Sequence, residues 1–62
     1  MNERDAILIS TILLEIGLDF KLKAFEEPGS RYVPGLIYAH ETLIRRSIQI
    51  QKDAGLRMLE DF

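Results

Sequence analysis

The hydrophobic content of this chain is higher than a protein of its length can bury by folding alone. Hydrophobic residues occupy 47% of the 62 positions, whereas a domain of about 60 residues hides only ~60% of the surface that its unfolded chain exposes. Chains below roughly 70–80 residues usually need a disulfide, a metal or a partner. With no cysteine and a single histidine, association with other chains is the solution that we expect.

Charge and local composition limit the kind of partner. Eight basic and ten acidic residues give a net charge of −2, so there is no basic excess for a phosphate backbone and we expect no nucleic acid. The apolar run over residues 6–14 is too short to span a bilayer, and the mixed charges before it are unlike a secretory signal. Together with the absence of cysteine, this predicts a cytoplasmic protein with no membrane partner.

Two segments with few helix breakers flank a short connection that contains both prolines. Pro28-Gly29 and Pro34-Gly35 lie within residues 28–35 and carry strong turn chemistry. Residues 3–27 and 36–62 show apolar residues at helical spacing. The sequence therefore predicts a single all-α domain over residues 1–62. We expect a helix-loop-helix hairpin that assembles into a dimeric four-helix bundle or a higher oligomer.

The first segment carries two apolar rows at spacings of three and four. Ser10 and Gly17, seven residues apart, lie between the rows. This pattern is typical of a helix that packs against two neighbours at once. The rows are Ala6, Ile9, Leu13, Ile16, Phe20 and Ala24 on one side, and Ile7, Leu14, Leu18 and Phe25 on the other.

An alternative for the first segment places strands after Gly17. Gly17 then ends a shorter helix, and the alternation of apolar and polar residues over 18–24 predicts a strand. The alternative fold is α+β, with a short hairpin at 18–33 between two helices. Lysine, alanine and glutamate in this stretch favour the helix, but the pattern alone leaves both folds open.

The second segment has a proline where a helix tolerates one. Pro34 can occupy the first turn, and Gly55 is a soft point at which the helix bends or frays. Its apolar residues again form two adjacent rows. These rows are Ile37, Ile44, Ile48, Leu59 and Phe62, and Leu36, Leu43, Ile50, Ala54 and Met58.

From these rows we predict the surface through which copies associate. Three polar residues, His40, Ser47 and Gln51, project between the two rows of the second helix. Polar groups in a helix–helix seam must be hydrogen-bonded, and they can set register and oligomer state. The predicted apolar interface consists of Ile9, Leu13, Ile16, Phe20, Leu43, Ile44, Ile48 and Met58.

No residue pattern indicates catalysis or a bound metal. His40-Glu41 begins like a zinc-protease helix, but the fifth position of that motif is Ile44 where a second histidine is needed. Glu15 and Asp19 share a helix face, yet that face is the polar stripe and provides no cleft for acid–base chemistry. We expect no enzyme, no metal and no cofactor.

Two short basic stretches are candidates for contact with a partner protein or a small anion. Arg31-Tyr32 lies in the loop, and both residue types are enriched among binding hot spots. Arg45-Arg46 is the centre of the only basic concentration in the chain. Four acidic residues surround it, and we expect them to neutralise it largely, through salt bridges such as Glu41 with Arg45. They are Glu41, Asp53, Glu60 and Asp61.

The function that these features favour is a small non-enzymatic adaptor or inhibitor that binds another protein as a homo-oligomer. Its size and composition are typical of small phage or bacterial regulators. One alternative is an oligomer that binds or sequesters a nucleotide-like anion between subunits. A second alternative is a structural subunit of a larger assembly.

Overall fold

A computed structural model describes residues 2–56 and contains two helices packed against each other. Helix α1 spans Glu3–Glu26 and helix α2 spans Val33–Asp53, joined by the loop 27–32. No strand occurs in the described part of the chain. The predicted helical hairpin is confirmed, and the alternative strand hairpin at 18–33 is wrong. Good helix formers after Gly17 carry α1 through the glycine.

Each end of α1 has a local cause. Asn2 caps the N-terminus, where its Oδ1 accepts a hydrogen bond from the Asp5 amide at 2.8 Å. Glu3 and Asp5 lie in the first turn, where negative charge interacts favourably with the helix dipole. At the other end Glu27 leaves the helical conformation, because the following Pro28 disfavours helical backbone in the residue before it.

Helix α2 begins and ends on residues with defined backbone preferences. Pro34 lies in its first turn, as predicted. Gly55 has a φ of +73°, and its amide donates to the Lys52 carbonyl while the Leu56 amide donates to the Gln51 carbonyl. This pair of bonds is a Schellman motif, so the predicted soft point is the end of α2 and the helix does not continue through it. Met58, Leu59 and Phe62 lie outside the described residues.

The contact between the helices is made by small side chains. The buried residues of α1 are Ala6, Ser10, Gly17 and Ala24, and the buried residue of α2 is Ser47. Every leucine, isoleucine and phenylalanine among residues 2–56 is half-buried or exposed. The hairpin therefore has close backbone packing but no core of large apolar side chains.

The two helices run antiparallel with a regular register. Ser47 contacts Ser10, and His40, seven residues earlier, contacts Gly17, seven residues later. Seven residues before His40 is Val33 and seven residues after Gly17 is Ala24, and these two residues line the same hollow. A repeat of seven is the period of coiled-coil packing, and here small and polar residues occupy it.

We call this contact, made at Ser10, Gly17, His40 and Ser47, the seam. Most of the large apolar residues lie on its two sides, whereas Leu8, Ile12 and Leu22 are exposed on the opposite side of α1. Phe25 and Ile37 line a common hollow, which places their two rows on one side. We call this side face B, and the opposite side face A. Face B consists of Ile7, Leu14, Leu18, Phe25, Ile37, Ile44 and Ile48. Face A consists of Ile9, Leu13, Ile16, Phe20, Leu36, Leu43 and Ile50.

Candidate interaction surfaces

The centre of the seam is a hydrogen-bond network around Ser10. Ser47 Oγ donates to the Ser10 carbonyl oxygen at 2.7 Å, and Gln51 Nε2 donates to Ser10 Oγ at 3.2 Å. Ser10 Oγ in turn donates to the Ile7 carbonyl oxygen at 3.1 Å. Ser10 and Ser47 are completely buried, so this network satisfies groups that would otherwise destabilise the fold.

His40 makes a second polar contact across the seam. Its Nδ1 lies 2.8 Å from the Gly17 carbonyl oxygen. Because a carbonyl oxygen only accepts, this bond requires the proton on Nδ1. Among the described residues, no buried side-chain nitrogen or oxygen lacks a partner. His40, Ser47 and Gln51 thus lie in the contact between the helices of one chain, and their effect on oligomer state stays a prediction.

Among the glycines of the chain, Gly17 is the one whose Cβ position lies within 4 Å of atoms of the other helix. A Cβ at this position would lie 3.3 Å from Leu43 Cβ and 3.2 Å from Ile44 Cδ1. It would also lie 3.4 Å from the His40 carbonyl oxygen. Two of these three atoms belong to the backbone or its first side-chain carbon, so they do not move independently of α2. The absence of a side chain at Gly17 therefore sets the helix separation here.

The predicted oligomer interface is divided by this packing. Ile9 and Ile16 are exposed on face A, while Leu13 and Phe20 are half-buried beside the seam. The α2 members Leu43, Ile44 and Ile48 are also half-buried, and both Leu43 and Ile44 lie close to Gly17. The structure brings these seven residues around one seam, but spreads them over both faces. Met58 lies outside the described residues.

Face B carries the more exposed apolar residues. Ile7 and Leu18 are about half exposed, and Phe25 is 71% exposed. At the loop end of this face an open apolar hollow of about 230 Å³ is lined by Ala24, Phe25, Pro28, Val33 and Ile37. Contiguous exposed apolar surface of this kind is typical of interaction sites.

Arg31 and Tyr32 form a compact pair in the loop. Arg31 Nη2 donates to Tyr32 Oη at 2.9 Å, and the guanidinium carbon lies 5.0 Å from the centre of the tyrosine ring. The Arg31 guanidinium is therefore engaged with the adjacent Tyr32 in a cation–π contact. Arg45 is thirteen residues beyond Tyr32 on α2, or about 20 Å along a helix that rises 1.5 Å per residue. The four predicted contact residues therefore do not form one site within a chain.

Arg45 and Arg46 lie on the outer surface of α2 beside an exposed tyrosine. We call this surface the arginine–tyrosine patch. It is an open hollow of about 390 Å³ lined by Tyr38, Thr42, Arg45, Arg46 and Gln49. Sequence reasoning missed Tyr38, Thr42 and Gln49. Their spacing of four and seven residues, which places them on one line of the helix, could have identified them.

Within the described residues, the carboxylates of Glu41 and Asp53 form no ion pair with the arginines of the patch. Glu60 and Asp61, also predicted to neutralise the patch, lie outside the described residues. Within residues 2–56 neither Arg45 nor Arg46 forms an ion pair, so the predicted pairing of Glu41 with Arg45 is wrong. Asp53 is engaged elsewhere, since its Oδ1 accepts a hydrogen bond from Gln49 Nε2 at 2.8 Å. On an exposed helix surface a salt bridge is worth little against side-chain entropy.

Two further properties of the described residues bear on the site. No group of three or more histidine, aspartate or glutamate side chains within residues 2–56 could hold a metal ion. Neither α1 nor α2 combines the length and hydropathy needed to cross a bilayer.

Comparison of the chain with protein-family models, curated proteins and solved structures finds no match. The functional conclusion therefore depends on the surfaces described above.

Proposed function

We propose that this chain is a small cytoplasmic, non-enzymatic adaptor or inhibitor that binds another protein and acts as a homo-oligomer. The observation that carries the proposal is the composition of the seam, in which the largest fully buried side chains are Ser10 and Ser47. Hydrophobic burial is the dominant favourable term in folding. A hairpin whose large apolar residues all remain outside this seam gains that term by covering one of its faces with another chain.

Face B is the surface that we assign to the second copy. It includes Phe25, which is more exposed than any other large apolar residue of α1, and the apolar hollow that begins beside it. A two-fold contact uses the same patch on both chains. Each copy can then place apolar side chains against the hollow of the other.

The seam also supports a non-enzymatic role. His40 and Ser47 are residue types that serve in acid–base and nucleophilic chemistry. Here each donates its hydrogen bond to a backbone carbonyl oxygen of α1. Both side chains thereby hold the helices together, and neither activates the other.

Sedimentation velocity across micromolar to millimolar concentrations tests self-association. We expect the wild type to sediment as a dimer or larger, and Leu18→Asp, which places a charge on face B, to sediment as a monomer. Leu8→Asp is the matched control, because Leu8 is exposed and lies two residues from both Ala6 and Ser10, on the opposite side of α1. A wild type of about 7 kDa throughout, or equal dissociation of both variants, would contradict the assignment.

Native mass spectrometry of the protein purified from its own host tests the adaptor role. A second protein in stoichiometric amount supports the proposal. A small anion bound in place of a protein would instead favour the sequestering alternative and overturn the adaptor.

A further inference from the structure

We infer that the arginine–tyrosine patch on the outer surface of α2 binds an acidic segment of a partner protein. This inference rests on the proposed function and names the class of partner. The surface is separate from the apolar faces through which copies of the chain associate.

The position of the patch keeps it available in an oligomer. Tyr38 and Arg45 each lie two residues before a seam residue, His40 and Ser47, and therefore on the opposite side of α2. Both are exposed, and Tyr38 has 72% of its surface open to solvent. A second copy that covers face B leaves this outer surface uncovered.

The chemistry of the patch matches carboxylates. A guanidinium offers five donors in a planar fork that binds a carboxylate through two parallel hydrogen bonds. Arg45 and Arg46 both lack an ion pair among residues 2–56. Gln49 Nε2 donates to the Asp53 carboxylate, and Glu41, four residues before Arg45, forms no ion pair with it among the described residues. The two guanidinium groups are therefore open to carboxylates from another molecule.

Tyr38 adds a contact that charge alone does not supply. Tyrosine and arginine are enriched among the residues that dominate binding energy in protein interfaces. Tyr38, Thr42 and Gln49 line the same hollow as the two arginines. An acidic segment that also carries an apolar side chain can use both the ring and the guanidinium groups.

The shape favours a protein segment over a small anion. All five lining residues belong to α2, whereas small-molecule sites are concave and enclose ~70–90% of the ligand surface. A nucleic acid is a poorer fit, because its affinity depends on many basic contacts and this chain has a net charge of −2. An extended or helical peptide needs only an open surface along one helix.

Fluorescence anisotropy with a labelled glutamate-rich peptide containing one leucine tests the inference. We expect Arg45→Ala/Arg46→Ala to weaken peptide binding by at least about tenfold. Tyr38→Ala should weaken it several-fold without any change in charge. The matched control is Arg4→Ala/Lys23→Ala, which removes the same charge from exposed sites elsewhere and should bind within about twofold of the wild type.

Several results would overturn the inference. These are equal losses in the two double variants, no peptide binding at protein concentrations up to about 1 mM, or displacement of the peptide by ATP or inorganic phosphate at lower concentration than by unlabelled peptide. Sedimentation of the wild type, combined with the peptide-binding measurement, separates the two proposals. A monomeric wild type that binds the peptide at the patch disproves self-association alone, whereas an oligomer that ignores the peptide disproves the patch alone.

Discussion

The Nδ1 of His40 lies 2.8 Å from the carbonyl oxygen of Gly17, and the His40 carbonyl oxygen lies 3.4 Å from the place of a Cβ on that glycine. One residue pair thus controls the helix separation in two ways. The hydrogen bond holds α2 close to α1, and the absence of a side chain at Gly17 allows α2 to reach that distance.

Gly17→Ala should lower stability although alanine favours a helix. The change gains up to about 1 kcal/mol in helix propensity, but overpacking against Leu43 and the His40 backbone costs roughly 1–3 kcal/mol. Gly35→Ala is the matched control, since Gly35 is also helical and nothing lies within 4 Å of its Cβ position. Thermal or urea melts should rank Gly17→Ala below Gly35→Ala by at least about 1 kcal/mol. The reverse order would mean that the helices do not meet at Gly17.

Ser47→Ala should destabilise the hairpin by about 1 kcal/mol, the typical net worth of a hydrogen bond. Ser47 is completely buried and donates to Ser10 at 2.7 Å. Thr42→Ala removes a hydroxyl from an exposed position of the same helix and should change stability by less than about 0.5 kcal/mol. Urea unfolding followed by circular dichroism measures both, and equal effects would contradict the buried seam.

Ile44→Asp should be far more damaging than Arg45→Ala, although the two positions are adjacent. The Ile44 side chain packs beside Gly17, where a charge loses hydration without gaining a partner, and we expect a loss of at least about 2 kcal/mol. Arg45 is exposed and forms no ion pair among the described residues, so its truncation should cost less than about 0.5 kcal/mol. Similar melting temperatures for the two variants would refute this orientation of α2.

Phe25→Ala should reduce the concentration dependence of the melting temperature. If copies associate through face B, the wild-type midpoint rises with protein concentration by mass action, and loss of the Phe25 ring weakens that association. Tyr38→Ala is the control, because Tyr38 is equally exposed, 72% against 71%, but lies on the outer surface of α2. Thermal melts of the wild type and both variants over a roughly hundredfold range of protein concentration measure how far each midpoint shifts. A midpoint that is independent of concentration in the wild type would remove face B as an interface.

The local features of this protein were predictable from residue types. The period of the apolar residues indicated two helices, the Pro-Gly pairs indicated the loop, and Pro34 in a first turn marked the start of α2. His40, Ser47 and Gln51 were identified as polar residues between two apolar rows. These predictions depend on backbone preferences and helical spacing, which act within a few residues.

Tertiary packing alone decided which line of each helix is buried. The rows of isoleucine and leucine were the expected contact, but the seam uses the small residues between them, with Ser10 and Gly17 opposite Ser47 and His40. Similarly, spacing predicted a salt bridge from Glu41 to Arg45, and the folded chain does not form it. Helical period specifies which residues share a line, whereas the choice among lines depends on how closely two backbones can approach. Small residues permit the closest approach and allow polar side chains to reach carbonyl groups of the other helix, so the larger apolar residues are left outside the seam.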